Sequence, residues 1–223
     1  MKIVFLAEAP ILALSYYIFI RDKYEKEPIS LLIIGLLFGG IIAFPILFTQ
    51  KFLFGLFTFK YQILQDAYSS YIVAGLVEEV YKFIVLWFLI WFNVNYNERC
   101  DAIVYAVFIS LGFAGVENYF YIADENDMLY KVSLLRAFIS VPFHFIYATF
   151  MGYYLTLAKY DRDKTYLAIA VLSSVIIHGN FNFILSLDFY FTFIFVICYW
   201  LVFAFSSYHM MNELVEKSPF KKI

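Results

Sequence analysis

The 223-residue chain is 64% hydrophobic and 23% aromatic, with only 15% charged residues and a formal net charge of −2. Soluble domains lie near 45–50% apolar and about 25% charged, so composition excludes an ordinary soluble globular protein and points to the membrane. The slight acidity and the lack of a basic stretch argue against nucleic acid as a partner. Two cysteines, Cys100 and Cys198, have no partner at metal-ligand spacing and read as free thiols.

A spanning helix needs about 20 mostly apolar residues. Seven runs qualify, at 3–20, 29–49, 71–92, 102–122, 133–158, 165–187 and 189–208. The first follows Lys2 and ends in the charged stretch from Arg21 to Glu27. No small-residue cleavage site follows it, so it reads as a retained helix, not a signal peptide. Residues 50–70 hold Lys51, Lys60, Gln62, Gln65 and Asp66 among aromatics and read as a loop with a helix lying in the interface.

The third run carries Glu78, Glu79 and Lys82. A charge at bilayer depth costs about 2.5–3.5 kcal/mol on insertion scales. The fourth run carries Glu117, with Gly112 and Gly115 favouring close packing and Asp101 at its start reading as a helix cap. The fifth holds His144 at depth, Gly152 for close helix approach, and Arg136 near enough to the surface to snorkel. The sixth places His178 and Asn182 on one face at i, i+4. In the seventh, His209 sits near the end and reads as incidental. The boundary between the last two runs, near Leu187 and Asp188, is the least marked. No linker or internal repeat divides the chain, so the expected fold is all-α: a polytopic transmembrane helix bundle forming one domain over residues 1–223.

Loop charge sets orientation. Seven spans put ten Lys/Arg residues on the side of the C-terminal tail and four on the other, which predicts an outside N-terminus and a cytoplasmic C-terminus. Glu78, Glu79, Glu117, His144 and His178 then fall roughly 8–17 Å below the outer ends of four antiparallel helices. That common slab reads as a site built in the outer half of the bilayer. The acidic stretch 124–127 is predicted outside, and substrate entry is expected near 50–70 and 123–132.

Either glutamate can pair with Lys82 at i, i+4 or i, i+3, leaving the other free to act as a general base toward water. His144 or His178 can orient that water or bind a metal, and the Asn182 amide can donate to an oxyanion. Glu117 reads as a second acid/base or a metal ligand. No H-E-x-x-H, G-x-S-x-G or serine–lysine pattern occurs, and no pair of aspartates lies at matching depth. Two other classes use intramembrane Glu and His: a proton-coupled transporter, and a non-catalytic receptor. A transporter would tend to show repeats and helices broken near mid-membrane, whereas no repeat is evident and the polar groups cluster on one side of the midplane.

Four motifs in order, E-E-x-x-K at Glu78–Lys82, G-F-x-x-x-E-N at Gly112–Asn118, R-x5-P-x-H at Arg136–His144 and H-x-x-x-N at His178–Asn182, resemble the PrsW family of membrane-embedded bacterial proteases. Ala9-Pro10 and Glu27-Pro28 are similar too, and the resemblance covers about residues 8–185. In more distant relatives, the CAAX-protease and bacteriocin-processing superfamily, the second motif usually ends in His where this chain has Glu117. The resemblance implies an intramembrane protease of a bacterial plasma membrane. It would hydrolyse a membrane-anchored, single-span substrate near its extracytoplasmic boundary, with an anti-sigma factor as the type of substrate. It leaves open whether the chemistry is glutamate-based or uses a divalent metal such as zinc, for which His144, His178, Glu117 and Glu79 are the candidates.

Overall fold

The computed structural model describes residues 2–123, 128–187 and 190–221, which form helices joined by short turns. The predicted stretch 124–127 and the position of Asp188 lie outside the described residues.

Helix α1 (Lys2–Arg21) leads to α2 (Ile29–Ile41) and α3 (Ala43–Leu56), which follow one another as a single span with a break at Ile42. Pro45 explains the break. It has no N–H to return to the Ile41 carbonyl, so the ladder restarts there. Helix α4 (Gln62–Ala67), a π-helical stretch (Tyr68–Leu76) and α5 (Val77–Ile90) run on as one segment. Helix α6 (Asp101–Ala123) follows, then α7 (Leu129–Leu135), a second π-helical stretch (Arg136–Ser140) and α8 (Val141–Tyr160), again continuous. Helices α9 (Thr165–Ser186) and α10 (Thr192–Glu216) complete the chain.

Six of these segments are long and apolar enough to cross a membrane: Val4–Arg21, Ile29–Leu56, Asp101–Ala123, Leu129–Tyr160, Thr165–Ser186 and Thr192–Glu216. The remaining segment, 62–90, falls short because Glu78, Glu79 and Lys82 interrupt its apolar stretch. The fold is therefore the expected all-α polytopic bundle, with one correction. Residues 50–70 are helical over most of their length and not a loop. Helix α3 carries the second span on to Leu56, α4 starts the next segment at Gln62, and only 57–61 is a turn. The sequence from Gln50 to Leu56 contains no proline, and one exposed lysine is no reason for a helix to end.

Helix α6 is the axis of the bundle and is buried from Asp101 to Gly115. In lipid, helices do not associate by hydrophobic exclusion, so close van der Waals fit and small residues decide the packing. Gly39 on α2 and Gly112 on α6 supply it. A Cβ at Gly39 would lie 2.0 Å from the Ile109 carbonyl oxygen, and one at Gly112 would lie 1.9 Å from the Leu36 oxygen. On the other side α8 approaches α6 at Gly152, as its sequence suggested. The outer surface is apolar, with Phe5, Leu12, Phe88, Phe193 and Phe205 exposed, which suits lipid contact.

Asp101 also departs from expectation. Its Oδ2 accepts from the N–H groups of Asn97 and Glu98, both at 2.8 Å. It ties down the preceding loop and does not cap the first helical turn.

Candidate active site

Each side chain of the site sits where a helix leaves an irregular or close-packed stretch. The π-helical turns at Tyr68–Leu76 set the face on which Glu78, Glu79 and Lys82 emerge at the start of α5. Such turns are rare and frequent at functional sites. Those at Arg136–Ser140 do the same for Arg136 and, one turn on, His144. Gly179 on α9 lets the Tyr71 ring lie against its backbone, and the Tyr71 hydroxyl donates to Asn180 Oδ1. That contact brings His178 alongside Glu79.

Lys82 is the hub. Its ammonium donates to Glu79 Oε1 at 2.8 Å, to Glu78 Oε2 at 3.2 Å and to His144 Nδ1 at 3.4 Å. An ammonium has three protons, and all three are used. It also lies 4.3 Å from the Phe113 ring centroid. Because Nδ1 of His144 accepts, its proton is assigned to Nε2, which faces Glu117 Oε2 at 3.1 Å. Glu117 in turn receives the Arg136 Nη2 donor at 2.7 Å.

The two glutamates have different surroundings. Glu79 is fully buried and bonds the His178 ring at Nδ1, 2.9 Å away. Glu78 lines the cavity and accepts from Gln50 Nε2 at 3.1 Å. With its Nδ1 proton directed at Glu79, His178 presents the Nε2 lone pair toward Glu78, 3.9 Å from Oε2. The ring is held flat against Tyr147, centroids 4.5 Å apart and planes at 11°.

These groups border a cavity of about 990 Å³ that is also lined by Asn182, Gln50, Lys51 and Phe54. Glu78, Glu117, His144, His178 and Asn182 therefore line one space, and the two histidine ring centroids are 5.8 Å apart. Glu79 stands behind the wall. His209 is exposed on α10 among Phe205 and Tyr208.

Arg136 differs from its expectation. It does not snorkel. Nε and Nη2 turn inward to Asn118 Oδ1 and Glu117 Oε2, both at 2.7 Å. The side chain has two good acceptors at depth, and bonds to them are worth more there than in water. Sequence reasoning also missed Gln50 and Tyr147. Gln50 falls in the stretch whose sequence reads as a loop, and nothing distinguishes Tyr147 among 20 tyrosines.

A metal is poorly matched to this geometry. Glu78, Glu79 and His178 offer ligand atoms within 4.8 Å of one another, enough for three ligands. Yet the buried Lys82 ammonium already occupies the cation position between the two carboxylates, at 2.8 and 3.2 Å. The two nitrogens of His178 also face different carboxylates, so one imidazole cannot serve an ion shared by both. Glu78, Glu79 and His178 do not fit a divalent ion while Lys82 is in place, and the other two candidates, His144 and Glu117, bond each other and Arg136.

Residues 27–207 match a family described as PrsW family intramembrane metalloprotease. The chain is 36% identical over 201 residues to a protein named Protease PrsW in Clostridioides difficile, covering 87% of this chain and 83% of that one. A protein of the same name in Oceanobacillus iheyensis is 36% identical over 180 residues, 80% of each chain. The Bacillus subtilis protein of that name is 29% identical over 182 residues, again 80% of each. No solved structure matches the chain.

Proposed function

Since the chain belongs to the PrsW family of intramembrane proteases, we propose that Glu78 is its general base and that Glu79 positions His178. The observation that carries this reading is the division of the pair: Glu78 borders the cavity, while Glu79 is buried behind it against Lys82 and His178.

A water between Glu78 and His178 Nε2 meets two acceptors, so its lone pair is free to face the scissile carbonyl carbon. Attack forms the C–O bond and passes the water proton to Glu78. The carbonyl oxygen becomes an oxyanion, for which the Asn182 amide is the donor within the cavity wall. Glu78 then returns the proton to the leaving nitrogen as the C–N bond breaks. Lys82 holds Glu78 in place, and its positive charge offsets the carboxylates in a medium where unpaired charge is costly. Glu117 anchors Arg136 and His144 and is not itself the base. No step runs through a metal.

The substrate we assign is a membrane-anchored, single-span protein, extended across the cavity and cut near its extracytoplasmic boundary. An anti-sigma factor is the type that the family resemblance implies. The loop charges support an outside N-terminus and a cytoplasmic C-terminus. Cysteine labelling from outside the cell at position 162, and not at 126, would reverse that orientation.

The central test is cleavage of a single-span reporter by the purified protein in detergent. Glu78→Gln is isosteric and should abolish turnover while leaving the thermal transition in place. Full activity in that variant removes Glu78 as base.

A further inference from the structure

At the end of the bundle away from the cavity, five carboxylates converge: Asp22, Glu25 and Glu27 from the α1–α2 turn, Glu98 from the α5–α6 turn, and Asp101 opening α6. Asp101 lies sixteen residues before Glu117, about 24 Å along the helix. Asp22, Glu27, Glu98 and Asp101 are all at most 2% exposed.

Among the described residues, none of the five pairs with a lysine or arginine. The nearby cations point elsewhere. Lys26 donates to the backbone oxygens of Phe19 and Asp22, Arg21 to Asn212, Arg99 to Asp161, and Lys159 to the Tyr96 oxygen. Lys23 lies over the Tyr24 ring. One oxygen of each main member is satisfied: Asp22 Oδ2 by the Glu27 N–H, Glu27 Oε2 by the Tyr105 hydroxyl, Asp101 Oδ2 by the loop amides. The other oxygen of each is buried and meets no N–H or hydroxyl donor, as does Glu25 Oε2, although Glu27 and Asp101 lie close enough to share a proton. Glu25, Glu27 and Asp101 bring ligand oxygens within 4.8 Å of one another.

We propose that this cluster is a binding site for a hard divalent cation of the Mg2+ and Ca2+ class, held by Glu25, Glu27 and Asp101. Buried carboxylates grouped without a paired lysine or arginine are strongly unfavourable unless protons or a metal cation join them, and the half-buried Glu25 oxygen beside Glu27 and Asp101 completes a three-donor group open to a cation. Oxygens grouped within that span suit an ion with metal–oxygen distances of about 2.0–2.6 Å. Donors that are all oxygen select a hard cation over zinc. Glu25 is half-buried and offers the way in from water. The ion would fasten the α1–α2 turn to the foot of α6.

The test uses the whole purified protein in detergent, stripped with chelator and then titrated separately with MgCl2, CaCl2 and ZnCl2. Mg2+ or Ca2+ should raise Tm saturably, by about 5–10 °C at a hundredfold excess over Kd. Glu27→Gln and Asp101→Asn should abolish the shift, and Asp161→Asn on the surface should keep it. If those two variants do not fold, Glu25→Gln, which loses one donor at a half-buried position, should raise the midpoint of the titration at least tenfold. Terbium should bind with emission sensitised by Tyr105 and be displaced by Ca2+. The proposal is overturned if neither Mg2+ nor Ca2+ shifts Tm up to about 10 mM, roughly tenfold above the Kd of the weakest oxygen-ligand sites. A shift by zinc alone, or an equal shift in Glu27→Gln, overturns it too.

Discussion

The imidazole of His178 lies parallel to the phenol ring of Tyr147, centroids 4.5 Å apart, while its Nδ1 is bonded to Glu79. Stacking fixes the ring plane and the carboxylate fixes its rotation. The Tyr147 hydroxyl is buried and receives no partner. Tyr147→Phe should therefore keep activity within about twofold and leave stability equal or slightly higher, because it removes an unsatisfied polar group. Tyr147→Ala should cut kcat/KM by about 10- to 100-fold, chiefly through kcat. A loss in the Phe variant as deep as that in the Ala variant would assign the hydroxyl a role in the chemistry.

Glu79→Gln separates a positioning role from a structural one. The amide oxygen can still accept from Lys82 and His178 Nδ1, but without its negative charge it holds the imidazole tautomer and orientation less firmly. Turnover should fall by about two orders of magnitude. The surviving activity should show a pH–rate profile displaced from that of the parent. An unchanged profile with reduced folded protein would make the residue purely structural.

Chelation should not stop catalysis. Lys82 occupies the cation position between Glu78 and Glu79. Prolonged dialysis against a zinc chelator should leave peptide cleavage within about twofold of the untreated enzyme, an allowance far smaller than the loss of a catalytic metal would produce. Loss of activity restored by zinc would mean that Lys82 is displaced by an ion in the working enzyme.

Gly112→Ala should be severely destabilising, because its Cβ would stand 1.9 Å from the Leu36 oxygen, a backbone atom that moves only if α2 does. A loss of about 1–3 kcal/mol or failure to accumulate is expected. Gly55→Ala, where a Cβ meets nothing within 4 Å, serves as the control and should be neutral or mildly stabilising. Equal behaviour of the two variants, by thermal melt in detergent, would contradict the observed α2–α6 contact.

Burial pushes the carboxyls of Asp22 and Glu27 up to about 7. A carboxyl raised in the folded state gives stability that is complete below its unfolded pKa, near 4, and lost as pH rises through the folded value. With divalent ions chelated, Tm should therefore decline between about pH 4 and 7. Asp22→Asn should flatten part of that slope. A Tm that climbs over this interval would contradict the direction.

Much of the membrane architecture is legible from the apolar runs, because a bilayer allows few alternatives to a helix of about 20 residues. Glu78, Glu117, His144 and His178 could be picked out because ionisable groups are rare at that depth. What the sequence hid is mostly direction. Arg136 has the reach to snorkel, and only the inward acceptors on Glu117 and Asn118 decide otherwise. Adjacent Glu78 and Glu79 are equivalent on paper, and the turn of α5 makes one a wall and the other a support. The acidic cluster at the far end draws members from loops more than seventy residues apart, a distance no spacing motif spans.

The π-helical stretch ahead of α5 gives the site an unusual vulnerability to length. Glu78, Glu79 and Lys82 share one helix and turn together, whereas His144, His178 and Glu117 belong to the surrounding wall. Rewinding that stretch into an ordinary α-helix without the compensating loss of one residue would swing the whole acidic–basic unit by about 100°. The ion pairs within α5 would survive intact, facing the wrong neighbours. The register of one irregular turn, more than the identity of any one side chain, is what joins the two halves of the enzyme.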